Sequence, residues 1–97
     1  MRVESGTIRG ELLLTEDLRL NGLITESCTV PSGLHLDLHG VVSGDLRVEA
    51  GGTAEVFGTV GGNLYADGMV SLFGTVNGVA SGDGLQVREG AVIRGDF

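Results

Sequence analysis

A short phrase that recurs along the whole chain constrains the fold more than any other feature of the sequence. The phrase is glycine, any residue, a β-branched residue, any residue and often a second glycine, as in Gly-Thr-Ile-Arg-Gly at 6–10. Its copies start at Gly6, Gly22, Gly40, Gly58, Gly74 and Ala91. The spacings between starts are 16, 18, 18, 16 and 17 residues. A period of this length predicts a solenoid, in which each repeat buries its apolar face against its neighbours.

The repeats contain apolar residues at a spacing of two, which is the period of a β-strand and not of a helix. The first two apolar columns are Ile8, Ile24, Val42, Val60, Val76, Ile93 and Leu12, Cys28, Leu46, Leu64, Ala80, Phe97. Two further columns are Leu18, Leu34, Ala54, Val70, Leu85 and Leu20, Leu36, Val56, Leu72, Val87. Breaks between the columns indicate three short strands per repeat. We therefore expect an all-β, single-domain parallel β-helix of about five to six coils over residues 6–97, after a short lead-in at 1–5.

Glycine, with 18 of 97 residues, marks the corners of this β-helix. Corner pairs occur as Gly51-Gly52, Asp67-Gly68, Asp83-Gly84 and Glu89-Gly90. Glycine adopts positive φ without steric strain, so we expect these pairs to turn the chain in that conformation.

The charge and the single cysteine limit the classes of function. The net charge is −7, from 13 acidic and 6 basic residues, and all the basic residues are arginine. Such a surface repels phosphate backbones, so we expect no nucleic-acid partner. The lone Cys28 excludes an internal disulfide, fits a reducing compartment and is expected to be a small buried hydrophobe. No signal peptide or membrane-spanning stretch is visible, so we expect a cytoplasmic protein whose membrane association no visible segment encodes.

The tiled pattern Gly-x-[Val/Ile]-x-Gly-[acid/Asn]-Leu, as at 58–64, resembles the core domain of the bactofilins, a family of bacterial polymer-forming cytoskeletal proteins. The resemblance covers roughly residues 5–97. It implies a right-handed, three-faced β-helix with a dry core and nucleotide-independent, head-to-tail self-assembly into filaments. It also implies a role in assembly for an apolar residue of the last coil, and Phe97 stands in that place. The chain departs from the family in having almost no tails and no lysine, which leaves membrane attachment open.

Assembly through the ends also follows from the physics of a β-helix. The terminal coils carry unpaired backbone groups, and the segments outside the repeats look too short to cap them. An open end is a template for another coil, and contacts that do not close produce a filament. The residues expected at the ends are Ile8, Leu12 and Phe97. Phe57 and Phe73, outward-facing and one coil apart, are expected to stack in line with His39 and to offer a lateral contact surface.

The side chains that could carry chemistry are few. His35, Asp37 and His39 alternate on one strand and share one face, which makes them candidate metal ligands. The three together span too much of the strand for one ion, so a pair of them would need a third ligand from another coil, Glu55 or Glu16. We expect a solvated polar face there, no resident metal or other cofactor, and no catalytic residue. The protein is therefore not expected to be an enzyme.

A second class of function stays open at this point. A small acidic β-solenoid of the immunity or antitoxin type would use its negative surface to bind a basic protein partner. The net charge of −7 and the missing tails favour this alternative, whereas the uncapped ends favour the self-assembling structural protein.

Overall fold

The computed structural model describes residues 2–95, which form short β-strands joined by turns and contain no helix. The strands are β1 (Arg2–Glu4), β2 (Thr7–Ile8), β3 (Leu12–Leu13), β4 (Leu18–Leu20), β5 (Leu23–Ile24), β6 (Cys28–Val30), β7 (His35–Leu38), β8 (Val41–Val42), β9 (Leu46–Val48), β10 (Thr53–Val56), β11 (Thr59–Val60), β12 (Leu64–Ala66), β13 (Met69–Leu72), β14 (Thr75–Val76), β15 (Ala80–Ser81), β16 (Leu85–Val87) and β17 (Val92–Ile93). No helix in the described residues is therefore long and apolar enough to cross a membrane.

Every third strand belongs to the same sheet, so the chain winds through three parallel sheets once per coil. The first sheet has the order β1-β4-β7-β10-β13-β16, the second β2-β5-β8-β11-β14-β17 and the third β3-β6-β9-β12-β15. Each strand pairs with the equivalent strand of the coil before and after it. The expected all-β parallel solenoid with three strands per coil is confirmed, with about five turns. Residues 2–4 already form β1 and pair with β4, so the first coil begins inside the segment that was expected as a lead-in.

The core is a set of apolar columns inside the coils, and no polar or charged residue of 2–95 is buried with them. The buried residues are Leu14, Leu18, Leu20, Ile24, Cys28, Val30, Leu36, Leu38, Val42, Leu46, Val48, Ala54, Val56, Val60, Leu64, Ala66, Val70, Leu72, Val76 and Ala80. All of them are at most 4% exposed. A dry column of this kind stabilises each coil only through its neighbours, which is why the repeat needs several copies.

The columns of the first sheet differ from the sequence alignment at one coil. Leu36 lies between Leu18 and Ala54, and Leu38 lies between Leu20 and Val56. The assignment of Leu34 and Leu36 to these columns was therefore wrong by two residues. The turn at 31–34 before β7 takes up the extra residues of the longer coil. A shift of two leaves every side chain on the same face, so the period-two pattern does not reveal it.

The expectation of positive φ at the corner pairs is confirmed at two positions and wrong at two. Gly51 and Gly90 have φ of 85° and 88°. Gly68 and Gly84 are not in that region, and a Cβ at Gly84 would instead overlap the carbonyl oxygen of Gly68. The glycine at these corners serves close approach between coils.

A column of stacked glycines runs up the corner before the second sheet. A Cβ on Gly22, Gly40, Gly58 or Gly74 would overlap the carbonyl oxygen of the glycine one coil earlier. That carbonyl accepts a hydrogen bond from the residue that follows the glycine, as Thr59 N donates to Gly40 O at 3.0 Å. The backbones therefore approach too closely for any side chain.

We expect Gly58→Ala to lower the free energy of unfolding by about 2–3 kcal/mol, because the added methyl group forces two coils apart. Gly6 is the matched control. It starts the same column, but no coil precedes it, and its nearest contact for a Cβ is Glu4 Oε1 at 3.5 Å. Gly6→Ala should change the stability by less than about 0.5 kcal/mol. Urea unfolding followed by circular dichroism measures both, and equal effects of the two changes would contradict the close-approach argument.

Cys28 occupies an inward column of the third sheet and is fully buried, as expected. Its neighbours in the register are Leu12 and Leu46. Burial raises the pKa of the thiol from 9.0 to about 12, because the apolar core disfavours the thiolate.

The raised pKa predicts a thiol that is inert in the folded protein. A shift from 9.0 to about 12 lowers the thiolate fraction at pH 8 roughly a thousandfold. We expect Cys28 to react with a disulfide reagent at pH 8 at least about a thousandfold more slowly in the native protein than in urea. Similar rates in the two states would show that the column is open to solvent.

Candidate functional site

The N-terminal end face consists of the inward residues of the first coil, Arg2, Glu4, Ile8 and Leu12. Ile8 and Leu12 stack on Ile24 and Cys28, and both are half-buried because only one coil covers them. They thus lie where the sequence placed them, at the open start of two core columns.

The first-sheet side of this end face carries an ion pair in place of apolar residues. Arg2 and Glu4 continue the columns of Leu18 and Leu20, and Arg2 Nη2 lies 2.9 Å from Glu4 Oε2. The expectation of an uncapped end is therefore wrong here, since the two charged side chains form a polar cover for this side. Sequence reasoning missed them, although shifting the repeat back by 16 residues from Leu18 and Leu20 points to these positions.

The C-terminal end face in the described residues consists of Leu85, Val87 and Ile93, and it is apolar. Val87 continues the column of Leu72 but is 53% exposed, whereas Leu72 is fully buried. Ile93 continues the column of Val76 and is half-buried. Phe97, the third residue expected at the ends, lies outside the described residues.

The strands at both ends leave one edge without a partner in the described residues. β1, β2 and β3 pair only with β4, β5 and β6, and β16 and β17 pair only with β13 and β14. Their outer N–H and C=O groups are positioned as they are inside the solenoid, where each coil bonds to the next. Both end faces therefore combine an apolar surface with a template for strand pairing.

An aromatic ladder of His39, Phe57 and Phe73 runs along one corner of the solenoid. The ring centroids of His39 and Phe57 are 4.8 Å apart, and those of Phe57 and Phe73 are also 4.8 Å apart. The planes of the two phenylalanines differ by 7°, which is a stacked arrangement. Phe57 and Phe73 remain 43% and 37% exposed. The ladder is thus a fixed, partly exposed apolar ridge along the outside of three coils.

The polar strand β7 divides its candidate ligands between two sites. His35 and Asp37 form a cluster with Glu55 of the next coil, and their ligand atoms lie within 4.8 Å of one another. His39 does not belong to this cluster, because its ring stacks on Phe57. Of the two acids considered as a third ligand, the structure brings Glu55 to the cluster and not Glu16.

The three comparisons with known proteins give one result. The family model of the bactofilins, described as polymer-forming cytoskeletal, matches residues 3–97. No curated protein and no solved structure matches the chain. The match supports the polymer-forming interpretation and gives no support to a small acidic module that binds a basic partner.

We expect Phe57→Ala to destabilise the fold more than Phe73→Ala, because Phe57 stacks on two rings and Phe73 on one of them. With about 0.5–1.5 kcal/mol for each stacked pair, the losses should be about 1–3 and about 0.5–1.5 kcal/mol beyond the loss of buried area. Urea unfolding of both variants measures the difference. Equal losses would mean that the rings act only as separate covers of the corner.

Proposed function

The chain belongs to the bactofilin family of polymer-forming cytoskeletal proteins, and we propose that it assembles end to end into filaments without a nucleotide. The observation that carries the proposal is the exposed apolar surface at the C-terminal end face. Val87 is 53% exposed at the end of a column whose inner members are fully buried.

Continuing the columns into a second molecule supplies the driving force. Another coil against Val87 and Ile93 would remove apolar surface from water, at about 25 cal/mol per Å² of area. It would also give the outer backbone groups of β16 and β17 the hydrogen bonds that the inner coils already make. Both contributions are available in the folded chain, so the joint needs no nucleotide.

The ion pair of the N-terminal end face sets where the joint is formed. Covering Arg2 and Glu4 with a second molecule would take both charges out of water, which costs free energy. Ile8 and Leu12, on the second and third sheets, carry no such penalty. We propose that these two residues form the centre of the N-terminal contact and that the ion pair stays at its rim.

The resemblance adds Phe97 to the C-terminal contact. This role is carried over from the family, in which an apolar residue of the last coil serves assembly. It remains a prediction because Phe97 lies outside the described residues.

Lateral association between filaments is proposed to use the aromatic ladder. In a filament the ladder would recur once per molecule, so weak contacts through Phe57 and Phe73 would add along the length. Phe57→Ala should then keep single filaments in electron micrographs but lose their side-by-side pairing.

The proposed role is structural, since the family is described as cytoskeletal, and its first partner is another copy of the chain. We place the polymer in the cytoplasm, where a cytoskeletal element acts and where the free thiol of Cys28 stays reduced. The net charge of −7 is spread along the filament and keeps it away from nucleic acid.

Paired substitutions on neighbouring residues test the end-to-end joint. Val87→Arg places a charge on the C-terminal end face, whereas Gln86→Arg places it on the outside of the same strand. Ile8→Arg and Thr7→Arg form the corresponding pair on β2. We expect the wild type and both outward variants to sediment as filaments, and both inward variants to remain small while keeping the circular dichroism of a folded solenoid. Sedimentation followed by negative-stain electron microscopy measures this, and filaments of unchanged length in the inward variants would refute the joint.

Mixing the two inward variants determines the polarity. If the C-terminal face joins the N-terminal face, Ile8→Arg and Val87→Arg are each monomeric, and together they form a one-to-one dimer through the two intact faces. If like faces join, each variant forms a dimer by itself. Analytical ultracentrifugation distinguishes these two results.

A further inference from the structure

The His35 cluster (His35, Asp37 and Glu55) is held on the outside of the first sheet by the pairing of β7 with β10. His35 lies opposite Thr53, and Asp37 lies opposite Glu55. All four side chains alternate with buried residues of the same strands and therefore point outward on one face. The two coils thus present a compact patch of one imidazole, one hydroxyl and two carboxylates.

Hydrogen bonding orients the imidazole ring of His35. Its Nδ1 lies 2.7 Å from Thr53 Oγ1, and the Thr53 hydroxyl donates to the carbonyl oxygen of Leu34 at 3.5 Å. A hydroxyl whose proton is directed at a carbonyl accepts its other hydrogen bond, so Nδ1 is the protonated ring nitrogen. The lone pair of a neutral imidazole is then on Nε2.

The Nε2 atom faces two carboxylates. It lies 2.6 Å from Asp37 Oδ1 and 3.6 Å from Glu55 Oε1. No arginine among residues 2–95 forms an ion pair with either carboxylate. Three electron-pair donors thus converge on one point, where a positive charge is required to hold them together.

We propose that the His35 cluster binds a divalent transition-metal ion of the zinc class. One imidazole nitrogen and two carboxylate oxygens are ligands that Zn²⁺ accepts, with water completing the four positions. Zinc ligands stand about 2.0–2.2 Å from the ion, so neighbouring ligand atoms are about 3.4 Å apart. The 3.6 Å between Nε2 and Glu55 Oε1 fits this spacing, and Asp37, on a half-exposed side chain, has room to move outward.

Thr53 acts in this site as a positioning residue. Metal-bound histidines commonly donate their other ring N–H to an oxygen, which fixes the tautomer and the direction of the ring. Thr53 Oγ1 supplies that oxygen from the same strand as Glu55. The site would join two coils and stabilise the folded chain by binding it in preference to the unfolded one. It is independent of the proposed end-to-end assembly, because it lies on the side of the solenoid.

A zinc titration against a competing chelator dye, on protein without a histidine tag, tests the site. We expect one Zn²⁺ per chain, an affinity at least tenfold lower in His35→Gln and in Glu55→Gln, and a rise in thermal stability with zinc in the wild type alone. His39→Gln and Glu16→Gln are the matched controls and should bind as the wild type does. Thr53→Val removes no ligand and should weaken binding about tenfold.

The absorption spectrum of Co²⁺ bound in place of zinc gives a second readout, since a band typical of few-coordinate cobalt should appear in the wild type and be lost in His35→Gln. Two results would overturn the proposal. One is no zinc bound by the wild type up to millimolar concentration. The other is an equal loss of binding in His35→Gln and His39→Gln. In either case Nε2 carries a proton, and the cluster is a charged hydrogen bond between two coils.

Discussion

The hydrogen bonds between stacked coils are the constraint on which the rest of the structure depends. They hold equivalent strands at the spacing of a parallel sheet, about 4.8 Å, at every turn of the chain. This spacing allows only glycine where two corners meet, as at Gly40 and Gly58. It also brings equivalent side chains into contact, so apolar residues form continuous columns inside and the rings of Phe57 and Phe73 stack outside. One backbone distance thus determines the core, the corners and the outer ridge.

The same constraint explains how much the sequence could predict. Columns of inward residues and the stacking of Phe57 on Phe73 follow from the repeat, because a residue and its equivalent one coil later must be neighbours. The register of Leu36 and Leu38 did not follow, since a shift of two residues keeps the inward pattern. The separate fates of His35 and His39 were also out of reach. They depend on which neighbour each ring meets one coil away, a threonine hydroxyl or a phenylalanine ring.

The two ends of the solenoid differ because their last inward residues differ. At the C-terminal end face the columns stop at Val87 and Ile93, so the cost of an open end is exposed apolar surface. At the N-terminal end face, Arg2 and Glu4 satisfy each other above Leu18 and Leu20, and only the second and third sheets remain apolar. The chain therefore carries an end that association stabilises throughout and an end where association is favourable on part of the surface. Such unequal ends suit a protein of a polymer-forming family that must also remain folded before it assembles.

Variation in coil length is the means by which a regular solenoid acquires a local site. The step from Leu18 to Leu36 is 18 residues, whereas the step from Ala54 to Val70 is 16. The additional residues lie in the turn at 31–34, immediately before β7, and they leave the stacking of the coils unchanged. This turn delivers the carbonyl of Leu34 to the Thr53 hydroxyl, which orients the ring of His35. The coils without the additional residues have no equivalent of this turn, and their matching positions carry Asp17 and Met69. The backbone ladder thus sets where side chains meet, and one enlarged corner decides which of those meetings can hold an ion.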